Sequence, residues 1–588
     1  MSLYRTGSFE IDPIKQPAVA DTATWDEDAA YSFVRSAPEI YWKRMLRSLY
    51  RGDVQNRKSD EVPFSPLPGS VSRRNLGTWM IGRLPDGQHL ILSMGKTRDK
   101  DVDIEAFKTF DRNEGQNLTF YPASDRNIHT YLKTCLPGRA SRGLGARPRL
   151  GIGVRPTVLA WPAIWQAMAK KGFCANAIQN SLRELNLLED LRSGHGPREN
   201  HQFSFGSVQE GHTGSTFEGL WLSGALSALD QNNVLDFGAD ADHIMVKKDE
   251  SSLTGDPGPL HTGRERARQI ILAARHYSFY TLDVSDLLDF TILHAKDHTA
   301  GTGRLEQIVG GRENAGMLLE YHNRDQETIE EELLGRYVAK YWEALDALEG
   351  LAQYIADLKG DEPFDLELSI DENPPGIETC SNTTSVEELS FLIRELLRRD
   401  IPVTHIAPNF GIEKGTDFRC PEGIIGLQKR VKMLCDVAGE SGFMLDCHSG
   451  DDLSAETMRA IGDASSGWIQ FKVSPSLQVL LGECIHDVSE KLFGHWWRLS
   501  LAYARRKQEE GSELAGRILG TLEGERRVRP SADHPLFHHF CFGPVGERDK
   551  QGRFINREWF YDLPQSVKRE YTRRLTDHLC NLSEQIFR

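Results

Sequence analysis

From about residue 149 onward, short apolar runs that end in polar or small residues alternate with longer amphipathic stretches. The runs are LGIGV (150–154), FCANAI (173–178), VLDFGADAD (234–242), FYTLDV (279–284), FDLELSI (364–370), VTHIAPN (403–409), FMLDCHS (443–449) and WIQFKVS (468–474). The intervening stretches read as helices. SVEELSFLIRELLRR (385–399) repeats leucine at helical spacing, with acids in its first turns and arginines at its end, as the helix dipole favours. Strand–helix alternation implies parallel strands, because a parallel pair needs a long crossover. Eight such strands predict an α/β fold, a (β/α)8 TIM-like barrel over 149–524. A doubly wound open sheet is the alternative, but no GxGxxG turn follows the first strand. Stretched spacings place loop insertions near 185–230 and 286–360.

The flanks differ in texture. Residues 1–148 predict an accessory α+β region that braces the barrel. Within it, NLGTWMIGRLPDGQHLILSMGK sets two apolar runs around Pro85-Asp86-Gly87, which reads as a β-hairpin. Residues 525–588 predict a charged helical extension packing on the barrel.

Charge narrows the partners. The 588 residues carry 70 Lys+Arg against 85 Asp+Glu, a formal net charge of −15. An anionic surface does not capture nucleic acid or an anionic membrane, so neither is expected. No apolar run approaches the roughly 18 residues of a membrane span, and the first residues lack a signal core. The nine cysteines are scattered without a CxxC pair, which predicts reduced thiols in a cytoplasmic setting, with neither a disulfide nor a cysteine zinc site.

In such a barrel the working residues sit at the carboxyl ends of strands. Here those ends carry Asp240, Asp242 and His243; Glu367, Asp371 and Glu372; Glu413 and Lys414; Asp446, His448, Asp451 and Asp452; and Lys472. Period-two alternation turns Leu366, Leu368 and Ile370 toward the helices and Glu367, Ser369 and Asp371 inward. An inward carboxyl is costly to ionise, so Glu367 is expected to hold its proton and act as a general acid. Two histidines from different strand ends with carboxylates beside them suit a divalent cation such as manganese, zinc, nickel, iron or cobalt. Other signals have plainer readings. His534, His538 and His539 in HPLFHHF pack on the barrel, HAKDH (His294, His298) lacks the glutamate of HExxH, and Trp496-Trp497 anchor a helix.

The ordered strand ends resemble the bacterial tagaturonate epimerase family over about residues 150–500. GADADH, the FYTLD strand, FDLELSIDE, APNFGIEKG, LDCHSG and FKVS follow that family's segments in order, and AIQNSLRELN is similar to a further one upstream. The family is described as metal-dependent and as interconverting D-tagaturonate and D-fructuronate, keto-uronates that differ at C4. The resemblance implies Asp242 as proton acceptor, His243 and His448 as metal ligands with Glu413 as a third, and Glu367 or Glu372 as proton donor. It implies Asp240, Arg155, Gln179, Arg183 and Lys472 as substrate-lining residues. The partner expected is then a small sugar acid, and a homo-oligomer is allowed. The chain departs from the family where substrate is gripped. GVRPTVLAWPAIW (153–165) lacks the family's histidine, SGDDL (449–453) lacks a lysine, and Asn409 replaces an arginine. The reaction type is therefore better supported than the substrate. A metal-assisted aldolase or hydrolase and a catalytically inactive sugar-binding barrel are the competing expectations.

Overall fold

The structure is a computed structural model. It describes residues 64–84, 87–95, 101–104, 108–112, 116–192, 200–203, 206–248, 258–292, 300–324, 329–373, 378–413, 416–450, 453–524, 529–549 and 554–587, with 4–6, 9–11, 18, 32, 36–38 and 40–42. Eight parallel strands close a barrel: β1 (Arg149–Ile152), β2 (Cys174–Asn180), β3 (Phe237–Met245), β4 (Phe279–Asp283), β5 (Asp365–Ser369), β6 (His405–Ala407), β7 (Met444–Cys447) and β8 (Gln470–Val473). Each coincides with a predicted run, shifted by at most three residues at its start. The α/β barrel expected from the alternation is the fold observed.

The chain divides into two compact units, residues 1–141 with 153–239 and 475–580, and residues 142–152 with 240–474 and 581–588. In the first, the predicted hairpin forms from Gly77–Arg83 and His89–Gly95, paired from Gly77↔Gly95 to Arg83↔His89. Its tip residues Pro85 and Asp86 lie outside the described residues. The hairpin belongs to a six-stranded antiparallel sheet over a core of Trp42, Phe64, Met80, Leu90, Leu92 and Phe120. The same unit holds the tail through Trp496, whose indole donates to the Cys541 carbonyl at 2.6 Å and packs on Phe537 and Phe560. In HPLFHHF, His534 caps the helix Pro535–Phe540 by accepting from the Leu536 N–H, and His538 and His539 pack ring against ring.

The second unit carries β3 from Asp240 through β8. The alternation in β5 is as expected: Leu366 and Leu368 are buried with Ile370, while Glu367 and Ser369 occupy the opposite face with no exposure. The helix Val386–Arg398 follows β5 and starts with a capping box, Ser385 accepting from the Glu388 N–H and Glu388 reaching back. Among the described residues, the inserted span between β4 and β5 contributes three α-helices, Ala300–Val309, Arg312–His322 and Glu331–Lys359.

One expectation is corrected here. Cys380 and Cys420 form a disulfide across 5.3 Å between Cα atoms. Their separation of 40 residues hides the pairing in the sequence, but the cysteines follow β5 and β6, which are neighbours in the barrel.

At the amino ends of the strands, Arg149 of β1 and Asp365 of β5 form a 2.8 Å ion pair with side chains 0% and 3% exposed. Asp365 also accepts from the backbone N–H of Leu144 (2.8 Å) and Gly145 (2.9 Å). Breaking a buried pair on one side strands a charge in low dielectric. Asp365→Ala is therefore expected to cost about 3–5 kcal/mol, read as a lowered urea midpoint at pH 7.

Candidate active site

The local backbone of β3 sets the site. Pairing with β4 runs Ala241↔Tyr280 and then Ile244↔Leu282, so one extra residue is accommodated between them. His243 sits there with φ of 44°, in the left-handed region that non-glycine residues seldom adopt. Such a bulge breaks the in–out alternation. Asp242 and His243, adjacent in sequence, thereby both reach the groups described below, while Ala241 and Ile244 remain in the apolar core.

Lys472 of β8 is the hub. Its ammonium lies 2.8 Å from Asp242 Oδ1, 3.1 Å from Glu367 Oε1, 3.6 Å from Asp446 Oδ2 and 3.7 Å from Asp240 Oδ2. It also donates to Thr281 Oγ1 at 3.1 Å. Burial would lower its pKa, but Asp242, Glu367, Asp240 and Asp446 together hold it well above the usual lysine value. The carboxylates respond unequally. Burial would raise Asp242, yet Lys472 and then His243 pull it well below the carboxylate range. Asp240, with no exposure, is raised well above that range by burial, which Lys472 only partly offsets. Asp240 is thus the carboxyl that burial favours in its protonated form. Thr281 donates to Asp240 Oδ1 at 3.1 Å.

The two imidazoles flank this hub with ring centroids 5.0 Å apart. His448 Nε2 lies 2.9 Å from Glu367 Oε1 and 3.5 Å from Asp446 Oδ2, and its Nδ1 lies 3.0 Å from Asp371 Oδ1. Burial would lower His448, but Asp371, Asp446 and Glu367 overrule it and raise it well above the ordinary histidine value. His243 Nδ1 pairs with Asp283 Oδ2 at 3.1 Å and lies 4.0 Å from Glu372, while its Nε2 is 3.9 Å from Asp242 Oδ1. Two sets, His243 with Asp283 and Glu372 and Glu367 with Asp446 and His448, each offer ligand atoms within 4.8 Å of one another. One imidazole and two carboxylates per set make a borderline N/O donor chemistry suited to the cations named above.

The structure therefore brings together Asp240, Asp242, His243, Glu367, Glu372, His448 and Lys472. Glu413 is not brought into the group, because its carboxylate pairs with Arg419 instead. Lys414, Asp451, Asp452, His294 and His298 lie outside the described residues. Arg155, Gln179 and Arg183 belong to the first unit. There Arg155 donates to His212 Nε2 at 2.9 Å and approaches Glu184 at 3.8 Å, and His212 Nδ1 donates to the Arg183 carbonyl at 2.6 Å. Gln179 is buried against Gly153. Sequence reasoning missed Asp283 and Gln470. Asp283 shares the inward phase of Thr281, which could have revealed it. Gln470 shares the phase of Lys472 and donates to Asp446 Oδ2 at 2.6 Å.

The electrostatics predict an acid limb of stability. Burial would raise Asp446, but Lys472 and then His448 hold it at about 2. An unfolded aspartate titrates near about 3.9. Its contribution is therefore present above about pH 4 and is lost as pH falls toward 2. In protein freed of metal by chelation, the urea midpoint is expected to fall over that interval, and Asp446→Asn to flatten the fall.

Among curated proteins, no sequence matches this chain. Among the solved structures that share its fold are three of the fructuronate-tagaturonate epimerase UxaE from Cohnella laeviribosi. The form complexed with one glycerol is 16% identical at a TM-score of 0.60, covering 93% of this chain and 99% of that one. The form with two glycerols is 17% identical at 0.61, and the native form 17% at 0.59, each covering 92% and 99%. At that identity the likeness speaks for the fold. The family described as UxaE, tagaturonate epimerase, matches residues 264–480, the stretch that supplies Asp283, Glu367, Asp371, Glu372, Asp446, His448 and Lys472. The resemblance carried by the strand-end motifs is thus met independently: this chain resembles the tagaturonate epimerases, and residues 264–480 match that family's model.

Proposed function

We propose that this protein is a metal-dependent epimerase of keto-uronates of the D-tagaturonate/D-fructuronate type. The observation that carries the reading is the buried Lys472 ammonium shared by Asp242 and Glu367, with two imidazoles 5.0 Å apart beside it. Acid–base chemistry on a sugar acid needs such a group, and the family match covers most of it. His243 and His448, with neighbouring carboxylates, would hold a divalent cation, which when bound supplies Lewis acidity to a ketone and its adjacent hydroxyl.

The C4 hydrogen of a 2-ketose lies β to the ketone, so enolisation alone does not make it acidic. A retro-aldol route avoids this. Asp242, held ionised, takes the proton of the C4 hydroxyl. The C3–C4 bond then breaks, and its electrons pass into an enediolate spread over C2 and C3. The C4 aldehyde turns its other face, the bond re-forms, and the new C4 alkoxide is protonated. Lys472 holds Asp242 Oδ1 and Glu367 Oε1 on one ammonium, and in this reading Glu367 is the acid that returns that proton. Asp240, neutral beneath them, adds no further anion to the cluster.

Purified protein given manganese and either keto-uronate is expected to form the other, followed by chromatography. Three-carbon fragments without the partner epimer would instead identify an aldolase. Asp242→Asn is expected to lower kcat by about 100- to 10,000-fold with metal content unchanged, and retained metal in a His243→Ala/His448→Ala double variant would remove these two residues as ligands.

A further inference from the structure

Each histidine has an aspartate beside its Nδ1. His243 Nδ1 hydrogen-bonds Asp283 Oδ2 at 3.1 Å, whereas His448 Nδ1 is ion-paired with Asp371 Oδ1 at 3.0 Å without an aligned hydrogen bond, and the ring is hydrogen-bonded through Nε2 to Glu367. Each carboxylate is anchored from its own chain neighbourhood: the Ser285 N–H donates to Asp283 Oδ1 at 3.1 Å, and the Ser369 hydroxyl to Asp371 Oδ1 at 2.9 Å. Both aspartates follow directly from barrel strands, Asp283 as the last residue of β4 and Asp371 two residues beyond β5. The other ring nitrogens face the hub. His448 Nε2 is 2.9 Å from Glu367 Oε1, and His243 Nε2 is 3.9 Å from Asp242 Oδ1. Those two oxygens are the ones that share Lys472.

We infer that Asp283 and Asp371 are a pair of positioning residues. Each takes the Nδ1–H of one histidine, fixes its ring and tautomer, and leaves Nε2 as the nitrogen offered to the cation. A carboxylate behind a ligating imidazole raises its basicity and removes the rotational freedom that binding would otherwise have to quench. Glu372, 4.0 Å from His243 Nδ1, stands beyond hydrogen-bond reach and does not share the task. The arrangement also accounts for the bulge in β3, since the left-handed His243 backbone carries the ring to Asp283 on the next strand. This inference deepens the reading of His243 and His448 as metal ligands and rests on it, but needs no particular substrate.

The test uses zinc as the probe on the full chain. Zinc affinity is measured by competition with a chromophoric chelator for the wild type, Asp283→Asn and Asp371→Asn. The ring nitrogens are followed by NMR on protein labelled with 15N-histidine. Each variant is expected to bind zinc about 10- to 100-fold more weakly. In the wild type, zinc should shift the Nε2 resonances of both rings into the coordinated range while Nδ1 stays protonated. Thermal melting shows whether each variant is folded, and the wild-type spectra decide the question even if one is not. Coordination through Nδ1, affinity unchanged in both folded variants, zinc binding abolished in either, or no zinc binding by the wild type would overturn the inference. A protein that passes these tests yet converts neither keto-uronate would lose the proposed substrate and keep the two positioning aspartates.

Discussion

A single ammonium holds this site together. Lys472 is 5% exposed and faces four carboxyl groups from strands β3, β5 and β7. Burying that many acids without a counter-charge would cost several kcal/mol for each ion. With Lys472 present, Asp242 and Asp446 are ionised, while Asp240 takes the other solution to crowding and keeps its proton. One cation thus sorts similar side chains into different protonation states, the condition for acid and base to coexist at one pH.

The two ends of these strands divide the labour. At the amino ends, Arg149 and Asp365 close on each other and on backbone N–H groups, so their charges are satisfied within the protein. Toward the carboxyl ends, His448 and Lys472 each serve more than one carboxylate. Barrel enzymes place stability at the first end and chemistry at the second, and here the self-satisfied pair lies at the first and the shared charges at the second.

The barrel was legible because its signals are local. Apolar runs and the polar or small residues that end them are set within a few positions, and all eight strands were placed from them. The inward phase of Glu367 followed from alternation alone. The bulge was not legible, because the alternation rule assumes a regular strand, and one inserted residue brings Asp242 and His243 to the same group. Long-range partners were hidden as well. The pairing of Cys380 with Cys420 and the capture of Glu413 by Arg419 depend on which loops meet, and no spacing rule encodes that. The lysine that meets Glu367 was hidden too, because alternation shows burial but not a partner delivered from another strand.

The irregularity in β3 also bears on how such a chain tolerates change in its length. Deleting one residue between Ala241 and Ile244 would even the ladder with β4 and change which side chains that stretch turns inward. It would also swing either the aspartate or the imidazole out among the surrounding helices. The cluster around Lys472 thus depends on one residue of strand length as much as on the identity of its side chains.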